Sequence, residues 1–261
     1  MTELKKFIES LPKTFPEIKL AQFYSSLDST NLETKRLAET DDKKSALIVA
    51  DTQTAGRGRM GRTWESPKGL GLYFSLLLYP KLKPAAAALL TLAAGWSLAV
   101  TLKELGAAPI IIKWPNDILL KGKKIAGILC EMRSMGPEVK SVVVGIGINL
   151  SQKPNDFSPA LTDTAGSLGQ LTGKTWDREK ILKNFLKFYL SEIKKIEAGG
   201  AADLIQRWEG TSDFLGRKIK ARSGEKLLEG TVLGLNPQGH LRLKLPDGSV
   251  QNLIDEETTL L

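Results

Sequence analysis

The chain has 261 residues, is 42% hydrophobic and 25% charged, and carries a formal net charge of +8. These values describe an ordinary globular protein with room for a full hydrophobic core, and exclude a small scaffold stapled by disulfides or metal. A single cysteine, Cys130, and a single histidine, His240, exclude an intramolecular disulfide and argue against zinc clusters and Ser–His–Asp or Cys–His triads.

The opening stretch, Met1 to Glu9, is mixed in charge and lacks the apolar run of a signal peptide. With one cysteine, this predicts a reducing, cytoplasmic setting. Cys130 sits in Ile128-Leu129-Cys130 and reads as a small buried hydrophobe. The basic balance suits a polyanionic partner: nucleic acid, a nucleotide or an acidic protein. Charge alone does not choose among them.

Residues 1–20 read as a short polar lead-in in which Pro12 and Pro16 limit any helix. Thr30 and Glu33 fit a capping box, which predicts a helix starting near Thr30. Ala46 to Ala50 and Leu72 to Tyr79 read as strands, with a loop from Thr54 to Lys68 between them. Pro84 and Gly106 bracket one long helix. Thr91, Gly95, Ser97, Thr101, Lys103 and Glu104 interrupt its apolar run, so a buried helix is expected and not a membrane span.

Ile110 to Lys113 reads as a strand. Asp117 to Leu120 and Lys124 to Met132 form a predicted hairpin about Lys121-Gly122-Lys123, and Ser141 to Asn149 is a further strand. Residues 151–176 read as a loop. Arg178 to Ala198 is a second long helix with Ile181, Phe185, Phe188, Tyr189, Ile193 and Ile196 on one stripe, and Ala201 to Trp208 a short third. His240 falls in a turn, Asn236 to His240.

From about residue 214 the pattern alternates in short runs split by turns, as in a small antiparallel barrel of four or five strands. The fold class expected is α+β: a lead-in over 1–20, a mixed-sheet domain over 21–212, and an all-β barrel over 213–261.

Three segments carry chemistry. In Gln53-Thr54-Ala55-Gly56-Arg57-Gly58-Arg59-Met60-Gly61-Arg62-Thr63-Trp64, glycines alternate with arginines between two strands. Glycine lets backbone approach a ligand, and the guanidinium fork matches phosphate oxygens, so the loop reads as an anion cradle. The competing reading is an Arg-Gly segment that touches RNA. In Lys113-Trp114-Pro115-Asn116-Asp117, with Lys124 across the hairpin, Pro115 forces a break that places Asn116 and Asp117 at a strand start. Asp117 could hold Mg²⁺ directly or through water. In Gly145-Ile146-Gly147-Ile148-Asn149, small residues admit a planar ring, and Asn149 can donate to and accept from a purine edge.

In order and spacing these segments, with Ser29-Thr30-Asn31, resemble the biotin protein ligases over nearly the whole chain, including the terminal barrel, which the resemblance makes SH3-like. The resemblance implies an enzyme that makes biotinyl-5′-AMP from biotin and MgATP, then transfers biotin to a lysine of a biotin carboxyl carrier protein domain. It implies that Ser29, Thr30, Asn31 and Gln53 hold the biotin ring region. It assigns Arg57, Gly58 and Arg59 to biotin and the α-phosphate, and Arg62 to the outgoing phosphates. Trp64 and Asn116 would belong to the ATP side of the pocket, Lys124 would contact biotin and stabilise the α-phosphate, and Asn149 would bind adenine. Arg59, Lys124 and Asp117 are the expected catalytic residues, with Asp117 the candidate metal contact.

Homodimerisation is common among such proteins and is a further expectation. Only about 20 residues precede the catalytic part, so no operon-repressor function or specific DNA binding is expected. The alternatives are a lipoate protein ligase, a basic RNA-binding protein and an inactive homologue serving as a binding module.

Overall fold

The computed structural model describes residues 3–40, 42–136, 138–254 and 258–260. It opens with a helix, α1 (Glu3–Thr14), where the sequence suggested only a lead-in. Pro12 lies within it, but Ile8 and Leu11 are buried in the main core, and that burial offsets the cost of the proline.

Strand β1 (Leu20–Tyr24) leads through α2 (Thr30–Ala38) to β2 (Ala46–Ala50), which runs parallel to β1. α2 begins where expected, but the capping box does not form. Ser29 is the N-cap and makes no side-chain cap bond. Thr30 Oγ1 instead donates to Gln53 Oε1 at 3.1 Å, and Glu33 accepts from Arg36 at 2.9 Å. The groups that would cap the helix are committed elsewhere.

β3 (Gly71–Leu78) is followed by a 3₁₀ turn and α3 (Ala87–Glu104). β4 (Ile110–Lys113), β5 (Asp117–Leu120), β6 (Lys123–Met135) and β7 (Glu138–Asn149) complete the large sheet. Residues 151–176, expected as loop, contain the short α4 (Leu168–Thr172), capped by Ser167. α5 (Arg178–Glu197) and α6 (Ala201–Glu209) follow. The strand order is β1-β2-β3-β7-β6-β5-β4, antiparallel except for β1 with β2.

α2 lies against β2, β3 and β7, while α3 packs on β4, β5 and β6 and against α5 and α6. The segment Pro84–Glu104 is long and apolar enough to cross a membrane, yet 71% of its apolar window is buried here, as in a core helix. Phe74 on β3 meets Phe185 on α5 edge-on at 5.4 Å. Its neighbour Ser75 points the other way, since alternate strand residues face opposite sides.

The terminal strands are β8 (Lys218–Ser223), β9 (Lys226–Leu235), β10 (Leu241–Lys244), β11 (Val250–Leu253) and β12 (Thr258–Leu260). They form a five-stranded antiparallel sheet in the order β11-β10-β9-β8-β12. Val232, Leu241, Leu243 and Leu253 on its inner face join the core of the large sheet. Two polar ties reinforce this contact. Trp114 Nε1 donates to Gly239 O at 3.2 Å, and Leu235 N donates to Glu209 Oε1 at 2.6 Å.

Candidate functional site

The site lies on the α2 side of the sheet. On β7, Val144, Ile146 and Ile148 enter the core, so Gly145, Gly147 and Asn149 face the other way. The register pairs Gly127 with Gly147 and Leu129 with Gly145, which brings β6 to the same floor. A Cβ on Gly147 would stand 2.3 Å from Trp64 Nε1, one on Gly127 2.9 Å from Trp64 Cζ3, and one on Gly145 1.8 Å from Asn31 Oδ1. The planar ring expected over these glycines is therefore, in this structure, the indole of Trp64.

The glycine- and arginine-rich segment is a closed hairpin. Trp64 N donates to Gly56 O at 2.9 Å, and Gly58 N to Arg62 O at 2.7 Å. Met60 and Gly61 turn the tip with φ of 54° and 73°. The Gly58 N–H is thus engaged within the loop. Arg57 Nη2 lies 3.7 Å from Glu131 Oε1, and Arg59 Nη1 donates to Asn116 Oδ1 at 3.2 Å. Asn116 Nδ2 in turn donates to Ile128 O at 2.8 Å.

Lys124 Nζ sits 2.6 Å from Asp117 Oδ1 and 5.5 Å from the Trp64 ring centre. The carboxylate oxygen meets the ammonium as a charge contact without hydrogen-bond alignment, and Trp64 Nε1 is buried without a hydrogen-bond partner. Among the described residues no three His, Cys, Asp or Glu side chains converge as metal ligands.

Every residue expected from the sequence to bind ligand or act in catalysis lines one cavity of about 470 Å³. Along β7 it runs from Asn31 above Gly145, past Trp64 over Gly147, with Lys124 beside the paired Gly127, to Asn149. Asn149 is buried. Its Nδ2 donates to Gly166 O at 3.0 Å and its Oδ1 accepts from Gln152 Nε2 at 3.0 Å. Phe157, Leu161, Thr164 and Ala165 of the same 151–167 segment complete the wall.

Three residues missed from the sequence organise one end. Ser75 Oγ lies 2.7 Å from Thr30 Oγ1 and 2.6 Å from Asn31 Oδ1. Glu131 accepts from Asn31 Nδ2 at 2.9 Å and from Lys35 Nζ at 2.6 Å. Burial pushes the Glu131 carboxyl up, but the hydrogen bonds from Lys35 and Asn31 and the charges of Lys35 and Arg57 outweigh it and hold it below the usual range. The signals were present: Ser75 is the one serine or threonine in a strand buried at every position, and Glu131 is the one charge in the otherwise apolar run 125–132.

Residues 23–149 match the Biotin/lipoate A/B protein ligase family, and residues 214–255 the Biotin protein ligase C terminal domain. The biotin--[acetyl-CoA-carboxylase] ligase of Paracoccus denitrificans is 37% identical over 85% of this chain and 92% of its own. The chain belongs to the biotin protein ligase family.

The bifunctional ligase/repressor BirA of Bacillus subtilis (strain 168) is also 37% identical, over 87% of this chain and 70% of its own length. The biotin protein ligase of Aquifex aeolicus, solved in complex with biotin and ATP, superposes with a TM-score of 0.78 at 33% identity, over 93% of this chain and 98% of that one. The family is one of ligases, so the chain is an enzyme. The C-terminal match falls on β8 to β11, the sheet that Gly239 ties to Trp114.

Proposed function

We propose that the protein adenylates biotin with MgATP and passes the biotinyl group to a lysine of a carrier protein domain. One observation carries the reading. A neutral hydrogen-bonding group, Thr30, Asn31 and Gln53, and a cationic group, Arg57, Arg59, Arg62 and Lys124, line the same cavity. A ligand with a neutral polar ring and a carboxylate, set beside a triphosphate, needs both.

In the first step a biotin carboxylate oxygen attacks the α-phosphorus of ATP, and the bond to pyrophosphate breaks. Two anions must meet, so the barrier is largely electrostatic. One charge pair at 4 Å contributes about 4 kcal/mol at an effective dielectric near 20, and about 1.4 kcal/mol changes a rate tenfold. Lys124 and Arg59 are assigned to the α-phosphate and Arg62 to the leaving pyrophosphate. Trp64 walls the pocket on the ATP side, and Asn149 with the 151–167 segment receives the adenine. In the second step the carrier amine attacks the acyl carbon, AMP leaves, and a proton is lost from the amine.

Asp117, in contact with Lys124, is the residue that would hold a Mg²⁺ arriving with ATP, directly or through water, and the ion would supply charge neutralisation at the phosphates. The ATP requirement and the presence of a single cysteine, Cys130, support a cytoplasmic setting.

The test is incubation with biotin, [α-³²P]ATP and Mg²⁺, with lipoate in parallel. Labelled biotinyl-AMP, lost in Arg59→Ala, supports the reading. A lipoyl adenylate alone reassigns the substrate, and no adenylate from the folded protein overturns the proposal.

A further inference from the structure

The Thr30–Asn31 end of the cavity is backed by a partly buried network that runs from Lys35 to Ser66. Lys35 Nζ reaches Glu131, Glu131 accepts from Asn31, Asn31 meets Ser75, and Ser75 meets Thr30. Thr30 Oγ1 donates to Gln53, whose Nε2 donates to Ser66 Oγ at 2.8 Å. Such a network has a direction, because each hydroxyl has one hydrogen and each amide a donor end and an acceptor end.

The direction can be traced from its charged terminus. Lys35 keeps Glu131 ionised, so Glu131 Oε2 can only accept. Asn31 Nδ2 faces this oxygen at 2.9 Å and the carbonyl of Leu129 at 3.3 Å, which fixes the amide with Oδ1 toward Ser75. The single Ser75 hydrogen is thereby committed to Asn31 Oδ1. At the other end, Gln53 Oε1 accepts Thr30 N at 2.8 Å, so this amide is fixed as well. Thr30 Oγ1 therefore has acceptors on both sides, Ser75 Oγ and Gln53 Oε1, and its one hydrogen is engaged within the protein. Both Thr30 Oγ1 and Asn31 Oδ1 are left with lone pairs only.

We propose that Glu131 and Ser75 are positioning residues that fix this polarity, so that the Thr30–Asn31 end selects a ligand presenting a ring N–H donor. The inference rests on the reading of the cavity as a biotin site, in which the ureido ring supplies the donors. Neither residue needs to touch the ligand. Glu131 acts through Asn31, and Ser75 through both Asn31 and Thr30. Without the Ser75 hydroxyl, the Thr30 hydrogen has one fewer protein acceptor and Asn31 Oδ1 loses its donor, so discrimination between donor and non-donor ligands should fall.

The test compares binding of biotin with two analogues, in each of which one ureido N–H is replaced by CH2, by titration calorimetry. The wild-type protein is expected to prefer biotin over at least one analogue by about tenfold. In Ser75→Ala the preference should shrink to within about threefold, and Glu131→Gln, which keeps the size but removes the charge, should shift it the same way. A purely structural role would weaken all three ligands together and leave their ratio unchanged. The KM for ATP should stay within about twofold. An unchanged ratio in both folded variants overturns this inference alone. A wild-type protein that binds no biotin overturns it together with the functional reading.

Discussion

Trp64 and Gly147 occupy one space: a side chain on Gly147 would begin 2.3 Å from the indole nitrogen. The glycine is the condition for the tryptophan to lie over the sheet beside Lys124. Gly147→Ala should displace the indole and disturb the Lys124–Asp117 contact. The expected result is loss of ligand-induced thermal stabilisation by biotin and ATP, with binding weakened at least tenfold. Retention of the full thermal shift would show that the indole can move without consequence.

Lys124 is the cation held closest to Asp117 and the Trp64 ring, and its side chain is only 33% exposed. Removing a group that stabilises transition-state charge in such a setting costs about 10²–10³ in rate. Lys124→Ala should lower kcat for adenylate formation by that factor while the folding midpoint stays nearly constant. Asp117→Asn should cost less, about tenfold or under, because it removes the partner of the cation and not the cation. Radiolabelled adenylate formation measures both.

Acid should act through Glu131. Its carboxyl is held below the ordinary value of 4.5, with burial opposed by the hydrogen bonds and charges of Lys35, Asn31 and Arg57. A carboxyl lowered on folding stabilises the native state above its unfolded value. That contribution fades as pH falls toward the folded value and is absent beneath it. Between the wild type and Glu131→Gln, the difference in stability should therefore be greatest near neutral pH and vanish in acid below the folded value. Denaturation midpoints from pH 7 to pH 3 test this, and a difference that does not depend on pH contradicts it.

Trp114→Phe keeps an aromatic ring in the core but removes the hydrogen bond to Gly239. A lost buried hydrogen bond costs about 1 kcal/mol, which for a chain of this size lowers Tm by roughly 2–4 °C. Scanning calorimetry should show that shift. No change would mean that this hydrogen bond adds nothing measurable to the other contacts between the two sheets.

Much of the fold was legible because it follows from local rules. The helix from Thr30, the helix of Arg178–Glu197 and the strands Ala46–Ala50 and Ile110–Lys113 have clear periodicity or boundary residues. The site segments were legible as strings of glycine, arginine and asparagine, and the structure brings them to one cavity. What stayed hidden depended on contacts far apart in sequence. Glu131 stands out as a charge in an apolar run, but its role shows only once Asn31, 100 residues earlier, is placed beside it. Pro12 argued against α1 because the burial of Ile8 and Leu11 is a tertiary effect. The capping box failed for a similar reason, since Thr30 pairs with Gln53, 23 residues away.

The hydrophobic core is continuous from Ile8 near the start of the chain to Leu253 near its end. Two segments that match separate family descriptions therefore share one interior. Melting either of them exposes apolar surface on the other, so neither has an independent folding equilibrium. In urea the chain should pass through a single transition whose steepness reports the whole polypeptide, and the terminal sheet expressed alone should not hold a fixed tertiary structure.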